Sequence, residues 1–271
     1  MRKTNYHTHH ELCKHAKGTA KDYVLEALNR GYKEIGFSDH APSDYIQDTH
    51  PYVRMDTNQL DEYINDIKSQ KVTYKNQITI LTGLEVEYLN PDLNYYKDLL
   101  HKVDYLILGQ HYVIKQESGQ SQKTFESSFA LKEKKDILAY ARKVKEAIET
   151  GYFDLVAHPD LYMCGYHTFD ETAVEAANII IDASVKFDVP LEFNANGIRK
   201  GKIKTSDGTH YQYPRIEFWK IAKSKNCKVM INSDCHEPEL LDDKAVEESY
   251  KILKSLNIIP IEYLKIKNKK L

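Results

Sequence analysis

His7 and His9 stand one residue apart near the start of the chain, in YHTHHELCKH (6–15). On an extended strand, residues i and i+2 project from one face, so the two imidazoles can bind one ion together. Asp234 and His236 in NSDCH repeat that spacing, with Cys235 facing the other way. Further groups of metal-binding type lie between: His40 in FSDHAP, Glu85 and Glu87 in TGLEVEY, His111 in LGQHY and His158 in VAHPD. Glu85 offers a carboxylate able to bridge two cations. A lone histidine of this kind is commonly a packed, hydrogen-bonded imidazole. Burying so many polar groups together without ligands would cost several kcal/mol in unsatisfied hydrogen bonding, and a metal cluster satisfies them. The imidazole-rich, thiolate-poor set suits zinc, iron or manganese.

These residues sit at the ends of short apolar runs: TNY (4–6), EIGFSD (34–39), ITILTGLEVEY (78–88), DYLILGQH (104–111), FDLVAH (153–158), VPLEFNA (189–195) and KVMINSD (228–234). Their length and their β-branched and aromatic content predict buried strands. Helical patterns fill the intervals: 22–32, 57–70, 90–103, 134–152, 171–187 and 214–226. In the fourth, Ile137, Leu138, Ala141, Val144, Ala147 and Ile148 recur at helical spacing, and Gly151 follows where a C-cap glycine belongs. In the last, Pro214 can occupy the first turn. Seven strands alternating with helices predict βα units and a parallel sheet. An open sheet gathers its site at one switch point, whereas a barrel gathers residues from the carboxyl ends of many strands at one mouth. The spread of the metal-type residues over successive strands therefore predicts a barrel.

The 271 residues are read as one domain, 1–271, with 41% hydrophobic and 29% charged residues, enough for a sizeable core. A net charge of -2 leaves little electrostatic footprint for nucleic acid; the basic tail Lys265 to Lys270 is read as a solvated or frayed end. The start MRKTNYHTHH carries no apolar h-region and no later stretch has the roughly 18 apolar residues of a membrane span, so a cytoplasmic protein without a membrane partner is expected. Cys13, Cys164, Cys227 and Cys235 show no CxxC spacing and are expected to be free thiols.

The ordered set HTH with His15, SDH (38–40), GLEVE (83–87), GQH (109–111), AHPD (157–160), EFNANGIR (192–199) and NSDCHEP (232–238) resembles the polymerase and histidinol phosphatase (PHP) family. The resemblance spans His7 to about Pro238 and is greatest to the monofunctional histidinol-phosphate phosphatases of that family. It implies a distorted (β/α)7 TIM-like barrel with three divalent metal ions at the carboxyl ends of the strands. Position by position, it implies a first ion on His7, His9, Glu85 and Asp234. A second, bridged by Glu85, would lie on His111 and His158, and a third on His15, His40 and His236. His10 and Glu11 are expected to be peripheral. The implied activity is hydrolysis of the small-molecule monoester L-histidinol phosphate to L-histidinol and phosphate, in histidine biosynthesis.

Phosphate monoesters hydrolyse very slowly unaided, through a transition state that spreads charge over nonbridging oxygens. A metal cluster supplies a hydroxide near neutral pH and clamps those oxygens. Asp234 is the first candidate for handling the proton. A guanidinium is expected beside the phosphate, with Arg199 in NANGIRKG first and Arg54 in PYVRMD second. Asp160 and Glu87 are candidates either to meet the cationic end of such a substrate or to orient the ligands. Alternatives are another phosphoesterase of the superfamily, such as a tyrosine phosphatase or an exonuclease, and a noncatalytic metal-binding barrel. An amidohydrolase barrel would carry a modified lysine where this chain has Glu85.

Overall fold

A computed structural model describes residues 3–47, 52–115 and 124–267. In chain order the elements are β1 (Lys3–Asn5), α1 (Ala20–Asn29), β2 (Tyr32–Phe37), α2 (Asp44–Gln47), α3 (Leu60–Thr73), β3 (Thr79–Val86), α4 (Leu93–Lys102) and β4 (Tyr105–Leu108). There follow the antiparallel pair β5 (Tyr112–Lys115) and β6 (Thr124–Ser127), then α5 (Lys134–Glu149), β7 (Leu155–Val156), α6 (Glu171–Phe187), β8 (Leu191–Asn194) and α7 (Ala195–Arg199). A second antiparallel pair, β9 (Lys202–Thr205) and β10 (Gly208–Tyr211), precedes α8 (Ile216–Ser224), β11 (Val229–Asn232) and α9 (Lys244–Ser255).

Seven parallel strands form one sheet in the order β1-β2-β3-β4-β7-β8-β11. All seven arise from the apolar runs of the sequence, because strands covered on both faces read as near-continuous hydrophobic stretches. The sheet curls so that its first and last strands meet at a seam. There Asn232 Oδ1 accepts from Tyr6 N at 2.8 Å and Asn5 Oδ1 accepts from Ser233 N at 2.7 Å. Beyond the strands a parallel bridge joins Thr8 to Cys235, and His9 N donates to Cys235 O at 3.0 Å. Two asparagine side chains thus stand in for a ladder, and the closure sets His7 and His9 beside Asp234 and His236. The result is a distorted, nearly closed seven-stranded α/β barrel.

Helices cover the outer face. α5 buries Ile137, Tyr140, Ala141, Val144, Ala147 and Ile148, and Gly151 follows at φ 72°, a left-handed stop that suits glycine. Asp170 and Asp243 accept backbone N–H groups at the starts of α6 and α9. α8 begins at Ile216 with Arg215 as its N-cap, so Pro214, joined to Tyr213 by a cis peptide, lies before the helix and not in its first turn.

The tail also differs from its reading as a solvated end. Leu264 is buried among Tyr6, Tyr105, Ile107, Leu155 and Met230. Ile261 N donates to Val229 O at 2.8 Å and Lys267 N to Asp154 Oδ1 at 3.0 Å, so residues up to 267 pack under the amino ends of the strands. The apolar residues Ile261, Leu264 and Ile266 account for this; residues 268–270 of the basic run lie outside the described residues. All four cysteines are free and buried. Among the described residues no helix is long and apolar enough to cross a membrane.

Candidate metal centre

The strand ends deliver their polar residues to one mouth around Glu85. The Glu85 side chain passes close over Gly109: a Cβ there would lie 2.6 Å from Glu85 Cγ and overlap the carboxylate, so residue 109 must be glycine for the carboxylate to sit where it does. His158 and Asp234 adopt φ of 30° and 47°, a region non-glycine residues enter at a cost and hold mainly where a site requires it.

The two oxygens of Glu85 face different sets of imidazoles. Oε2 lies 3.3 Å from His7 Nε2, 3.5 Å from His9 Nε2 and 3.0 Å from His40 Nδ1. Oε1 lies 2.9 Å from His158 Nε2 and 3.4 Å from His111 Nε2. Asp234 Oδ1 completes the first group, 3.5 Å from His7 Nε2 and 3.3 Å from His9 Nε2. Donors 3.3–3.5 Å apart are close enough to share one cation at the bond lengths of about 2.0–2.2 Å usual for zinc. At the rim His15 Nε2 and His236 Nε2 are 2.9 Å apart, and His15, His40 and His236 bring one donor each within 4.8 Å of one another.

A divalent metal fits these donors on further grounds. His7 Nε2, His9 Nε2, His40 Nδ1 and Glu85 Oε2 are buried without a hydrogen-bond partner among the described residues, a costly arrangement that a cation resolves. On three of the rings the other nitrogen is engaged in a way that fixes the tautomer. His7 Nδ1 meets Glu192 Oε1 at 2.8 Å, His111 Nδ1 meets Glu87 Oε1 at 3.2 Å and His15 Nδ1 meets the Cys13 carbonyl at 2.8 Å. Each bond turns Nε2 toward the centre. Asn194 and Asn196 donate to Asp234 Oδ2 at 3.0 and 3.3 Å, leaving Oδ1 for the cluster.

Electrostatics follow from this crowding. Burial alone raises the Glu85 carboxyl, but His111, His7 and His40 outweigh it and hold it well below its usual value. Asp234 is likewise pushed up by burial and held well down by His7, His9 and His236. Burial opposes charge on His7, yet Glu192, Asp234 and Glu85 raise it well above an ordinary histidine. His236 is lowered to about 3, because burial and His9 outweigh the opposing pull of Asp234.

All nine residues expected as metal ligands therefore meet at one mouth, beside a cavity of about 370 Å³. The three expected at the substrate fare differently. Arg54 lines the cavity, but both its terminal nitrogens meet Glu87, each at 3.1 Å, and Nη1 also reaches Ala41 O at 3.2 Å. Arg199 turns away from the cavity: it donates to Asp243 Oδ2 at 2.9 Å, Ser233 O at 2.6 Å and Leu240 O at 2.8 Å. It braces the loop behind Asp234 and His236, because α7 ends by aiming residue 199 at the N-cap of α9. Asp160 is buried behind His158, accepting from Arg215 N at 2.5 Å and Trp219 Nε1 at 3.2 Å, and burial pushes its carboxyl up to about 7. Sequence reasoning missed Glu192, whose signal was a carboxylate inside the apolar run VPLEFNA, and Lys200, which lines the cavity. His10 pairs with Asp39 at 2.8 Å, outside the cluster.

Known proteins share this sequence and architecture. The probable histidinol-phosphatase of Deinococcus radiodurans is 28% identical, over 86% of this chain and 85% of that protein. The histidinol-phosphatase of Bacillus subtilis is 26% identical, over 88% of this chain and 94% of that protein. In structure, the histidinol phosphate phosphatase of Lactococcus lactis, complexed with zinc, L-histidinol and phosphate, superimposes with a TM-score of 0.68 at 18% identity, over 96% of this chain and 95% of that one. That likeness establishes a common fold. The family model of the PHP domain matches residues 5–196, well over half of the sequence, and the chain belongs to the PHP domain family.

Proposed function

We propose that this chain is a metal-dependent phosphate monoester hydrolase that converts L-histidinol phosphate and water to L-histidinol and phosphate. The observation that carries the reading is the split of Glu85, one oxygen toward His7 and His9 and the other toward His111 and His158. Two relatives matched over 85% and 94% of their length, named probable histidinol-phosphatase and histidinol-phosphatase, point to the substrate.

In this reading His7, His9, Glu85 and Asp234 hold the first ion, Glu85, His111 and His158 the second, and His15, His40 and His236 the third. When bound, zinc, iron or manganese ions lower the pKa of water toward neutrality and neutralise the phosphoryl oxygens of an in-line displacement. The chain's own part is to hold the ligands ready. Glu192, Glu87 and the Cys13 carbonyl set three imidazole tautomers, so no ring has to turn when substrate enters. Asp234 is kept ionised by His7 and His9 and oriented by two asparagine amides, so it has no proton to donate at neutral pH and presents Oδ1 as a ligand. Phe129 and Tyr213 line the cavity beside His111 and His158.

The test is steady-state hydrolysis of L-histidinol phosphate against other phosphate monoesters and a short phosphodiester, with protein of assayed metal content. A marked preference for L-histidinol phosphate upholds the proposal. Equal weak rates across the panel, or preference for the diester, would leave the barrel and its donors but remove this substrate.

A further inference from the structure

A phosphate dianion entering this cavity needs a cation beyond the metal ions, and both arginines are already taken. Arg54 is neutralised by Glu87, and Arg199 is held by Asp243 and two carbonyls. The next residue along, Lys200, follows α7 at the cavity wall and has no carboxylate within 4.0 Å among the described residues.

Its ammonium rests on two aromatic faces, 4.6 Å from the Phe129 ring centre and 5.1 Å from that of Tyr213. Those rings are 6.4 Å apart and touch the candidate ligands: Phe129 lies parallel to His111 at 6.2 Å, and Tyr213 lies edge-on to His158 at 6.3 Å. An aromatic face attracts a cation without cancelling its charge and without occupying its N–H donors. Parked there, Lys200 keeps full charge and three donors, on a flexible four-carbon stem.

We propose that Lys200, held on the Phe129–Tyr213 shelf, is the protein cation that binds the phosphoryl group, swinging from the rings onto its outer oxygens. The role rests on the phosphatase reading only in that the ligand carries a phosphate monoester; it requires no particular alcohol. It makes Lys200 a substrate-binding residue whose loss weakens phosphate affinity and KM more than kcat.

The experiment compares wild type, Lys200→Met and Lys200→Arg, each loaded with metal to the same assayed content. Inorganic phosphate binding is titrated calorimetrically at low and high salt, and KM and kcat are measured for L-histidinol phosphate. The side chain is exposed, so the variants should fold. Lys200→Met should weaken phosphate binding by roughly tenfold at low salt, with the gap narrowing as salt screens the charge. Lys200→Arg should restore most of it. Phosphate affinity of Lys200→Met within about twofold of wild type at low salt, or an unchanged KM for a substrate that is turned over, overturns the role of Lys200 and leaves the substrate assignment standing. Weakened phosphate binding in a protein that never turns over L-histidinol phosphate upholds Lys200 and removes the substrate instead.

Discussion

Glu192 Oε1 lies 2.8 Å from His7 Nδ1, and both side chains are fully buried. The same carboxylate accepts from His158 N at 3.0 Å and Asn194 Nδ2 at 2.7 Å, so one residue of β8 ties three parts of the candidate centre together. Partners of this kind typically change metal affinity by about 10–100-fold. Glu192→Gln keeps the shape and removes the charge, and it should weaken binding of the tightest ion by about that range. Competition with a graded chelator measures it; an unchanged affinity would reduce Glu192 to a packing role.

Gly109→Ala should act through Glu85. A methyl group at 109 has to displace the carboxylate that faces two sets of imidazoles. The protein is expected to fold but to hold fewer ions than wild type after loading, with kcat/KM down by roughly 100-fold or more, the scale of a misplaced catalytic constellation. Metal analysis beside a circular dichroism melt separates this outcome from misfolding.

The Arg54–Glu87 pair should matter to stability. Burial raises the Glu87 carboxyl, but Arg54 and His111 outweigh it and bring it to about 2. Removing one partner of a buried pair leaves an uncompensated charge and costs about 3–5 kcal/mol; Arg54→Met should fall at the lower end because His111 still faces Glu87. Urea unfolding reads the loss. Glu87 contributes stability above its unfolded value near 4.5 and loses it as pH falls toward about 2, so the gap between wild type and the variant should close over that interval.

Metal-free protein should lose stability as pH rises above about 6.5. His7, His10 and His111 are raised above the ordinary histidine value: burial lowers each, but neighbouring carboxylates outweigh it. Protonating them stabilises the fold fully below about 6.5, and that stability is lost as pH climbs through the raised values. His15, His40 and His236 are lowered by burial and act only below that window. Loaded protein, with His7 and His111 given over to ions, should be much flatter. Melting curves of both forms across this range test the difference; equal slopes would deny that protons and metal compete for these rings.

Much of this was legible in the residues. The barrel strands are buried on both faces and so stand out as apolar runs, and the clustering of histidines at their ends reports the mouth. Strands β6, β9 and β10 lack such runs and have no fully buried residue, and α9 was passed over although Val246, Ser249 and Leu253 form its buried face. Arg199 and Lys200 show why adjacent cations are hard to assign. They end the same short helix about 100° apart around its axis, so one turns to Asp243 and the other to the cavity, and only the fold shows which. Glu87 and Arg54 are far apart in sequence, and their mutual neutralisation is equally invisible there.

In the proposed function, ions gathered around Glu85 make this barrel a histidinol-phosphate phosphatase. The direct measurement is turnover of L-histidinol phosphate by protein stripped with a chelator and reloaded stepwise, with bound metal counted at each step. The stripped protein should show no turnover, with recovery to a kcat/KM in the ordinary enzyme range of ~10⁴–10⁸ M⁻¹s⁻¹ as the cluster fills toward three ions. Turnover that survives stripping, or a fully loaded protein that leaves L-histidinol phosphate intact, would contradict that function.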